Sequence, residues 1–303
     1  MNEISKRVEP FAPAVVITGA TQGIGKALAA EFARGGHTLF LVARDEAKLA
    51  ATARALSEAH DVQVKFVACD LGMEEGCADL EGALRRFGLY ADILVNNAAI
   101  MTAGFFQDAD RDELRQLVDL DVRAVVDLTR RFLPGMLARR RGGVLNVASV
   151  EGFFPVPYQA TYAAAKAFVL SFSRAIAYET MGTNVRVSAF APGAVATKMH
   201  AKAGAEYSRY VQLFPVMDAE AVARIGYRKF MRGKKIIVPG WFNRLSIFTR
   251  RFAPDFALVP LVGWFFRVRD AEGNLQMPRL ARAQKTGNGR VPATSGDGPS
   301  LST

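Results

Sequence analysis

Cysteine is nearly absent from this sequence of 303 residues, which holds only Cys69 and Cys77. Two thiols without metal-ligand spacing exclude a disulfide framework and a cysteine-based metal centre, so free thiols, a reducing compartment and no bound metal are expected. A long hydrophobic run is lacking too. The longest uncharged apolar stretch near the C-terminus, 256–266, is well short of the roughly 20 residues that a membrane-spanning helix needs. Residues 1–13 carry Glu3 and Glu9 and no apolar run, which is not the pattern of a secretory signal, and a cytoplasmic location is expected. Neither an internal repeat nor a nucleic-acid module with its stacking aromatics is visible.

Acidic residues are the scarcer charge, 29 against 39 basic ones, for a formal net charge of +10. The excess is uneven, with Arg224, Arg228, Lys229, Arg232, Lys234 and Lys235 close together. Without a nucleic-acid module, such a basic face points to an anionic cofactor or a membrane surface. Half of the residues are hydrophobic, which is ample for a large core.

From Val15 onward, short apolar runs alternate with segments of helical period, the pattern of βαβ units and a parallel sheet. Strands are predicted at Val15 to Thr18, Thr38 to Ala43, Val62 to Ala68, Ile93 to Val95, Gly143 to Ser149, Asn184 to Ala191 and Ile236 to Val238. Most are uncharged, as strands covered on both faces should be. Sheet-covering helices are expected from Ile24, Leu28 and Phe32, and from Leu114, Leu117, Val118, Leu128 and Phe132. Gly35-Gly36 and Gly142-Gly143 stand where helices should stop, and Asp218 should start another, with basic residues in its last turn. A single α/β domain of doubly wound (Rossmann) type is expected over 14–240, after an N-terminal segment 1–13. An aromatic and basic extension follows at 241–278, and then a polar tail at 279–303, too poor in apolar residues to order itself.

The first strand leads into Thr18-Gly19-Ala20-Thr21-Gln22-Gly23-Ile24-Gly25 and a helix. Glycines there permit a tight turn and close approach of a pyrophosphate, whose charge free amides and the helix dipole would stabilise. At the end of the second strand, where an acid would meet a ribose 2′-hydroxyl, stands Arg44, which suits a 2′-phosphate and so NADP. Asp45 could cap the next helix, with Lys48 one turn on, and Arg44 would then be a solvated turn residue.

Tyr162 and Lys166, four apart in a helical stretch, lie on one helix face, where a lysine ammonium would favour the phenolate. Ser149, thirteen residues before Tyr162, closes a strand expected beside the nucleotide-binding one, and its hydroxyl could orient a substrate oxygen. With Asp70-Leu71, Asn96-Asn97-Ala98-Ala99, Pro192-Gly193 and Thr197, these residues make the chain resemble a short-chain dehydrogenase/reductase over about Ala14 to Val238.

The resemblance implies hydride exchange between a nicotinamide and a carbonyl or alcohol. Tyr162 would be the acid or base, Ser149 would steady charge, and Lys166 would also hold the nicotinamide ribose. Around the cofactor it implies Gly19, Thr21, Gly23, Ile24 and Gly25 at the phosphates, and Asp70 with Leu71 at the adenine. It places Asn97 and Ala98 at the adenosine ribose, and Pro192, Gly193, Val195 and Thr197 at the nicotinamide end. One position departs from the family: counting back from Pro134 to its usual asparagine lands on Asp121. In relatives that asparagine holds a water in a proton path; the aspartate would stabilise the lysine ammonium, weaken the bias toward tyrosinate and shift activity to higher pH.

Phe153, Phe154, Pro155 and Tyr158 either approach the pocket or belong to the core, and the segment after Thr197 should form a lid. A lipophilic ketone, aldehyde or acyl substrate is expected, reduced with NADPH. The extension, with Arg244, Arg250, Arg251, Arg267 and Arg269 among its aromatics, reads first as a lid or dimer surface and second as peripheral contact with a membrane interface. A homo-oligomer is the family's habit. A cofactor-sensing regulatory protein that has lost catalysis is the alternative function, and a lyase or epimerase on this fold a further one.

Overall fold

The computed structural model describes residues 11–270 and 273–278, so the tail expected to be disordered lies outside the described residues. All seven predicted strands form: β1 (Ala12–Thr18), β2 (Leu39–Ala43), β3 (Val64–Ala68), β4 (Leu89–Asn96), β5 (Gly143–Val147), β6 (Arg186–Phe190) and β7 (Ile236–Ile237). They make one parallel sheet in the order β3-β2-β1-β4-β5-β6-β7. β4 starts four residues before the predicted strand, because Asp92 breaks the apolar run yet stays in the sheet with its carboxylate 3.2 Å from Arg141. The helices are α1 (Gly23–Arg34), α2 (Glu46–His60), α3 (Gly76–Arg86), α4 (Arg111–Val118), α5 (Ala124–Arg139), α6 (Ala160–Glu179), α7 (Met199–Lys202), α8 (Arg209–Leu213) and α9 (Ala219–Met231), with α10 (Trp241–Thr249) and α11 (Asp255–Phe266) in the extension.

Period-two alternation divides the strand residues between two cores. Val15, Ile17, Leu39 and Leu41 pack with Leu28 and Phe32 of α1, Leu49 of α2 and Phe230 of α9. Their neighbours Val16, Phe40 and Val42 face the other way, onto Leu80 of α3 and Leu128 and Met136 of α5. Asp218 caps α9, accepting from the Ala221 amide at 2.9 Å, as expected. At the end of α5 the left-handed cap falls on Arg140 (φ +52) rather than on the predicted glycine pair. Val118, read as inward, is exposed.

Strand order reverses between β1 and β4, and the carboxyl ends of such strands open a crevice for ligands. The sheet order also corrects the placing of Ser149: β5 lies beside β4 and β6, and β4 separates it from β1. A buried polar chain braces the β4–β5 junction. Asn96 and Asn146 are register partners. The Asn96 amide donates to Asn146 Oδ1 at 2.8 Å, and the Asn146 amide donates to Ser173 Oγ on α6 at 2.9 Å. Buried amides of this kind are tolerated only when paired, so this chain holds two strands and a helix in one alignment.

Candidate active site

The loop from Gly19 to Gly25 is pressed against the end of β4. A side chain at Gly25 would place its Cβ 2.3 Å from Asn97 Nδ2 and the Gly19 carbonyl, and one at Gly19 (φ +66) would meet Ala98 Cα at 2.9 Å. Thr18 fastens the two segments: its hydroxyl accepts the amides of Asn97 and Ala98, each at 2.9 Å. The Asn97 side chain donates to the Thr18 carbonyl at 2.8 Å. Gln22, at the head of α1, makes no side-chain cap, so the first amides of the helix lack that partner and face the cleft. Uncapped amides at a helix N-terminus suit a pyrophosphate, so the residues present fit a dinucleotide.

At the end of β2, Asp45 caps α2, accepting the Lys48 amide at 3.0 Å, and also pairs with the Lys48 ammonium. Its carboxylate is thereby engaged by α2 and its charge answered by Lys48, at the edge of the cleft. Arg44, more than half exposed, lies 3.6 Å from Asp70 Oδ2, while Asp70 Oδ1 accepts the Gly72 amide at 2.9 Å. Arg44, Asp70, Leu71, Asn97 and Ala98 line one cleft with the glycine loop, and the same cleft reaches Ser149, Tyr162, Lys166, Pro192, Gly193, Val195 and Thr197. The cavity is about 380 Å³ and includes Thr21 and Ile24. Every residue predicted for the cofactor therefore lies on one surface.

Asp121 is drawn in by a turn of π-helix, Asp119–Arg123, between α4 and α5. Such turns re-aim side chains within a helix and recur at functional sites. Wholly buried, Asp121 accepts the Ile100 amide at 3.0 Å through Oδ1, and its Oδ2 lies 2.9 Å from Lys166 Nζ. The aspartate thus contacts the lysine directly. Burial raises the Asp121 carboxyl above the usual range, against the pull of the Lys166 ammonium. Lys166 also donates to the Val147 carbonyl at 3.4 Å and sits 5.3 Å from the centre of the Tyr162 ring.

Ser149 lies two residues beyond the end of β5, heading a turn of 3-10 helix (Val150–Phe153), and its Oγ accepts the Glu151 amide at 3.1 Å. The Tyr162 phenol is buried and raised well above its ordinary range by burial first and then by the Glu151 and Asp121 carboxyls, with a hydrogen bond to Ser149 opposing. The expected lowering by lysine is therefore not found in this arrangement, since the nearest anion to Lys166 is Asp121. Tyr162 is held as an acid.

Glu151 is the residue that sequence reasoning missed. It is buried on the cleft wall, and burial pushes its carboxyl up to about 8, against the opposing Lys166 charge. The signal was legible: Glu151 is the one charged side chain between Val147 and Phe154. Of the aromatic residues expected near the pocket or in the core, Tyr158 lines a second cavity beside the cleft, and Phe153 and Phe154 join apolar clusters. The cavity that Tyr158 lines is about 700 Å³, includes Met101, Phe105, Phe106 and Leu114, and shares Ile100, Met101 and Met199 with the first. Met199, His200 and Lys202, from the segment expected to be a lid, also line the main cleft.

Residues 13–208 match the family model described as short chain dehydrogenase. A very-long-chain 3-oxoacyl-CoA reductase of Anas platyrhynchos is 38% identical over 189 residues, which cover 61% of this chain and 60% of that protein. The chain thus matches about three-fifths of the length of such curated relatives. Among solved structures, a short-chain dehydrogenase from Sphingobium yanoikuyae in complex with NADPH is 31% identical with a TM-score of 0.70, covering 80% of this chain and 95% of that one. L-sorbose reductase from Gluconobacter frateurii, complexed with NADPH and L-sorbose, is 30% identical with a TM-score of 0.67, over 76% and 97%.

Asp121→Asn removes an anion that holds the Tyr162 proton, so the phenol should ionise at lower pH. Ultraviolet difference titration of tyrosinate, against a Tyr162→Phe control, is expected to move down by about one pH unit or more, the scale of a lost neighbouring charge. Superimposable titrations would remove Asp121 from the proton chemistry.

Proposed function

The chain belongs to the short-chain dehydrogenase family, and from that premise we propose that it is an NADP-dependent oxidoreductase that reduces the carbonyl of a lipophilic ketone, aldehyde or acyl substrate to an alcohol. The observation that carries this reading is the convergence of buried Ser149, Tyr162 and Lys166 on the cleft that begins at the uncapped amides of α1. Bound NADPH would supply the hydride. Tyr162 donates its proton to the substrate oxygen, and the Ser149 hydroxyl steadies the charge developing there. The Lys166 ammonium offsets the phenolate left behind, and Asp121 is a positioning residue that holds Lys166 against the π-helical turn.

NADP is favoured over NAD because the end of β2 presents Arg44 to the cleft, while the Asp45 carboxylate beside it is taken up by the α2 cap and by Lys48. A lipophilic substrate is supported by Met101, Phe105, Phe106, Leu114 and Tyr158 on the adjoining cavity, and by the acyl substrate in the name of the Anas platyrhynchos relative.

The extension supports contact with an anionic lipid surface. α11 carries no charge after Asp255, yet only Leu258 and Phe266 of it are buried. A helix apolar on all sides needs cover on all sides. Trp241 (74% exposed), Phe252 (74%) and Phe256 (83%) stand outward. Arg244 and Arg251 flank them, as does Arg250, which pairs with Asp255 at 3.1 Å. Facing copies of so basic a surface would repel, whereas acidic headgroups would not. No helix among the described residues is long and apolar enough to cross a membrane, so this would be surface contact.

Three measurements test the reading. In a screen of carbonyl substrates with NADPH, Tyr162→Phe should lower kcat at least a hundredfold, within the usual ~10²–10⁴ for a lost general acid, with NADPH affinity kept. A blank screen with folded, cofactor-binding wild type would favour the regulatory alternative. Arg44→Asp should weaken NADPH binding about tenfold or more while sparing NADH, a loss of about 1.4 kcal/mol at a charged contact; unaltered preference would defeat the NADP assignment. Flotation with phosphatidylserine-containing vesicles should be lost in the triple variant Trp241→Ala, Phe252→Ala, Phe256→Ala, and unaltered flotation would refute the lipid contact.

A further inference from the structure

Glu151 stands one residue beyond Val150, in the turn that Ser149 caps, and its carboxyl is buried on the wall of the cleft shared by Ser149, Tyr162 and Lys166. Its Oε2 has no hydrogen-bond partner among the described residues. The nearby cation is already taken, since Lys166 lies 2.9 Å from Asp121. A second carboxylate on one ammonium would leave an uncompensated buried charge, which is strongly disfavoured, so Glu151 keeps its proton. A protonated carboxyl has one O–H to donate, and an unmet buried polar group is costly. Because the Glu151 amide is bonded to Ser149 Oγ at 3.1 Å, the carboxyl works within one side chain's reach of the hydroxyl that serves the reacting oxygen.

We propose that Glu151 is a specificity-determining residue that donates a hydrogen bond to a second substrate oxygen close to the reacting carbonyl, so that 3-oxo esters and thioesters are selected over lone ketones. This rests on the reductase reading and names the substrate class of that site. A 1,3-dicarbonyl places its second oxygen a few bonds from the first, whereas a lone ketone leaves the acid unpaired. Sites built to bond a substrate oxygen discriminate sharply against analogues without it. The charged and titratable groups around Glu151 are Lys166 and Tyr162 from α6, Tyr210 from α8, and Asp121 behind Lys166. His200 of α7 lies against Tyr210 at 6.4 Å between ring centres and is kept neutral by burial. Below about pH 8 Glu151 is neutral and donates. Above it the carboxylate loses its proton, and with it the bond to substrate.

The test uses the full chain with NADPH, a medium-chain 3-oxo ester and the matched ketone without the ester carbonyl. The readout is the ratio of the two kcat/KM values for wild type, Glu151→Gln and Glu151→Leu. Glu151→Leu should lower the ratio by about tenfold to a hundredfold, the range for an unmet buried polar group. Glu151→Gln still donates through its amide and should keep the ratio within a few-fold. The wild-type ratio should fall as pH rises through about 8, and the Glu151→Gln ratio should stay level. An unchanged ratio in Glu151→Leu, or the same alkaline fall in Glu151→Gln, overturns the proposal. If wild type reduces neither compound, the reductase reading fails separately. Quenching of bound NADPH fluorescence by the 3-oxo ester then decides for Glu151: weaker binding to the Leu variant than to the Gln variant supports it, and equal binding refutes it.

Discussion

Lys166 and Asp121 meet at 2.9 Å with both side chains withdrawn from water. Either charge alone in that place would be destabilising by several kcal/mol, so each requires the other. The pair therefore ties α6 to the π-helical turn, and Ile100, whose amide Asp121 accepts, is drawn in with them. Around the pair, burial biases the Glu151 carboxyl and the Tyr162 phenol toward their protonated forms; the Lys166 charge opposes this at Glu151, and the Glu151 and Asp121 carboxyls add to it at Tyr162. The cleft is thus a set of acids around one ion pair.

That electrostatic arrangement works only on a rigid frame. Thr18 and Asn97 lock the glycine loop to β4, and Asn96, Asn146 and Ser173 lock β4 to β5 and α6. The cofactor loop and the catalytic helix are consequently held by one continuous network of short polar contacts. Preorganised donors of this kind need no rearrangement when charge develops in the reaction.

Much of this was legible in the sequence because it depends on local pattern. Strand positions followed from short apolar runs alternating with helical segments, and the glycine loop and Arg44 from their places after β1 and β2, while the rest of the cofactor surface came from the family resemblance. What escaped depended on contacts between distant segments. The direct bond between Asp121 and Lys166 requires the helix to slip into a π turn at 119–123, which no residue preference announces. The upward bias of Tyr162 follows from burial first and then from the Glu151 and Asp121 carboxyls, none of which the residues beside it announce. Proximity to Ser149 leaves Phe153 and Phe154 open between pocket and core, and the fold puts both in apolar clusters. The strand neighbouring β5 was misplaced because sheet order is set by crossovers and not by chain order.

The extension shows how a segment beyond the parallel sheet can bear on the chemistry. α10 sits so close to the loop after β6 that a Cβ on Gly193 would fall 2.6 Å from Asn243. Phe266 of α11 stacks on Tyr210 of α8 at 4.4 Å, and Phe265 meets Phe214 at 4.9 Å. Tyr210 lies 6.4 Å from His200 between ring centres, and His200 lines the cleft. With Trp264 against Phe265 at 4.9 Å, a line of ring contacts runs from the half-exposed Trp264 to the wall of the cleft. Close-packed rings resist independent movement, so α11 and the cleft wall at His200 are held as one packed unit.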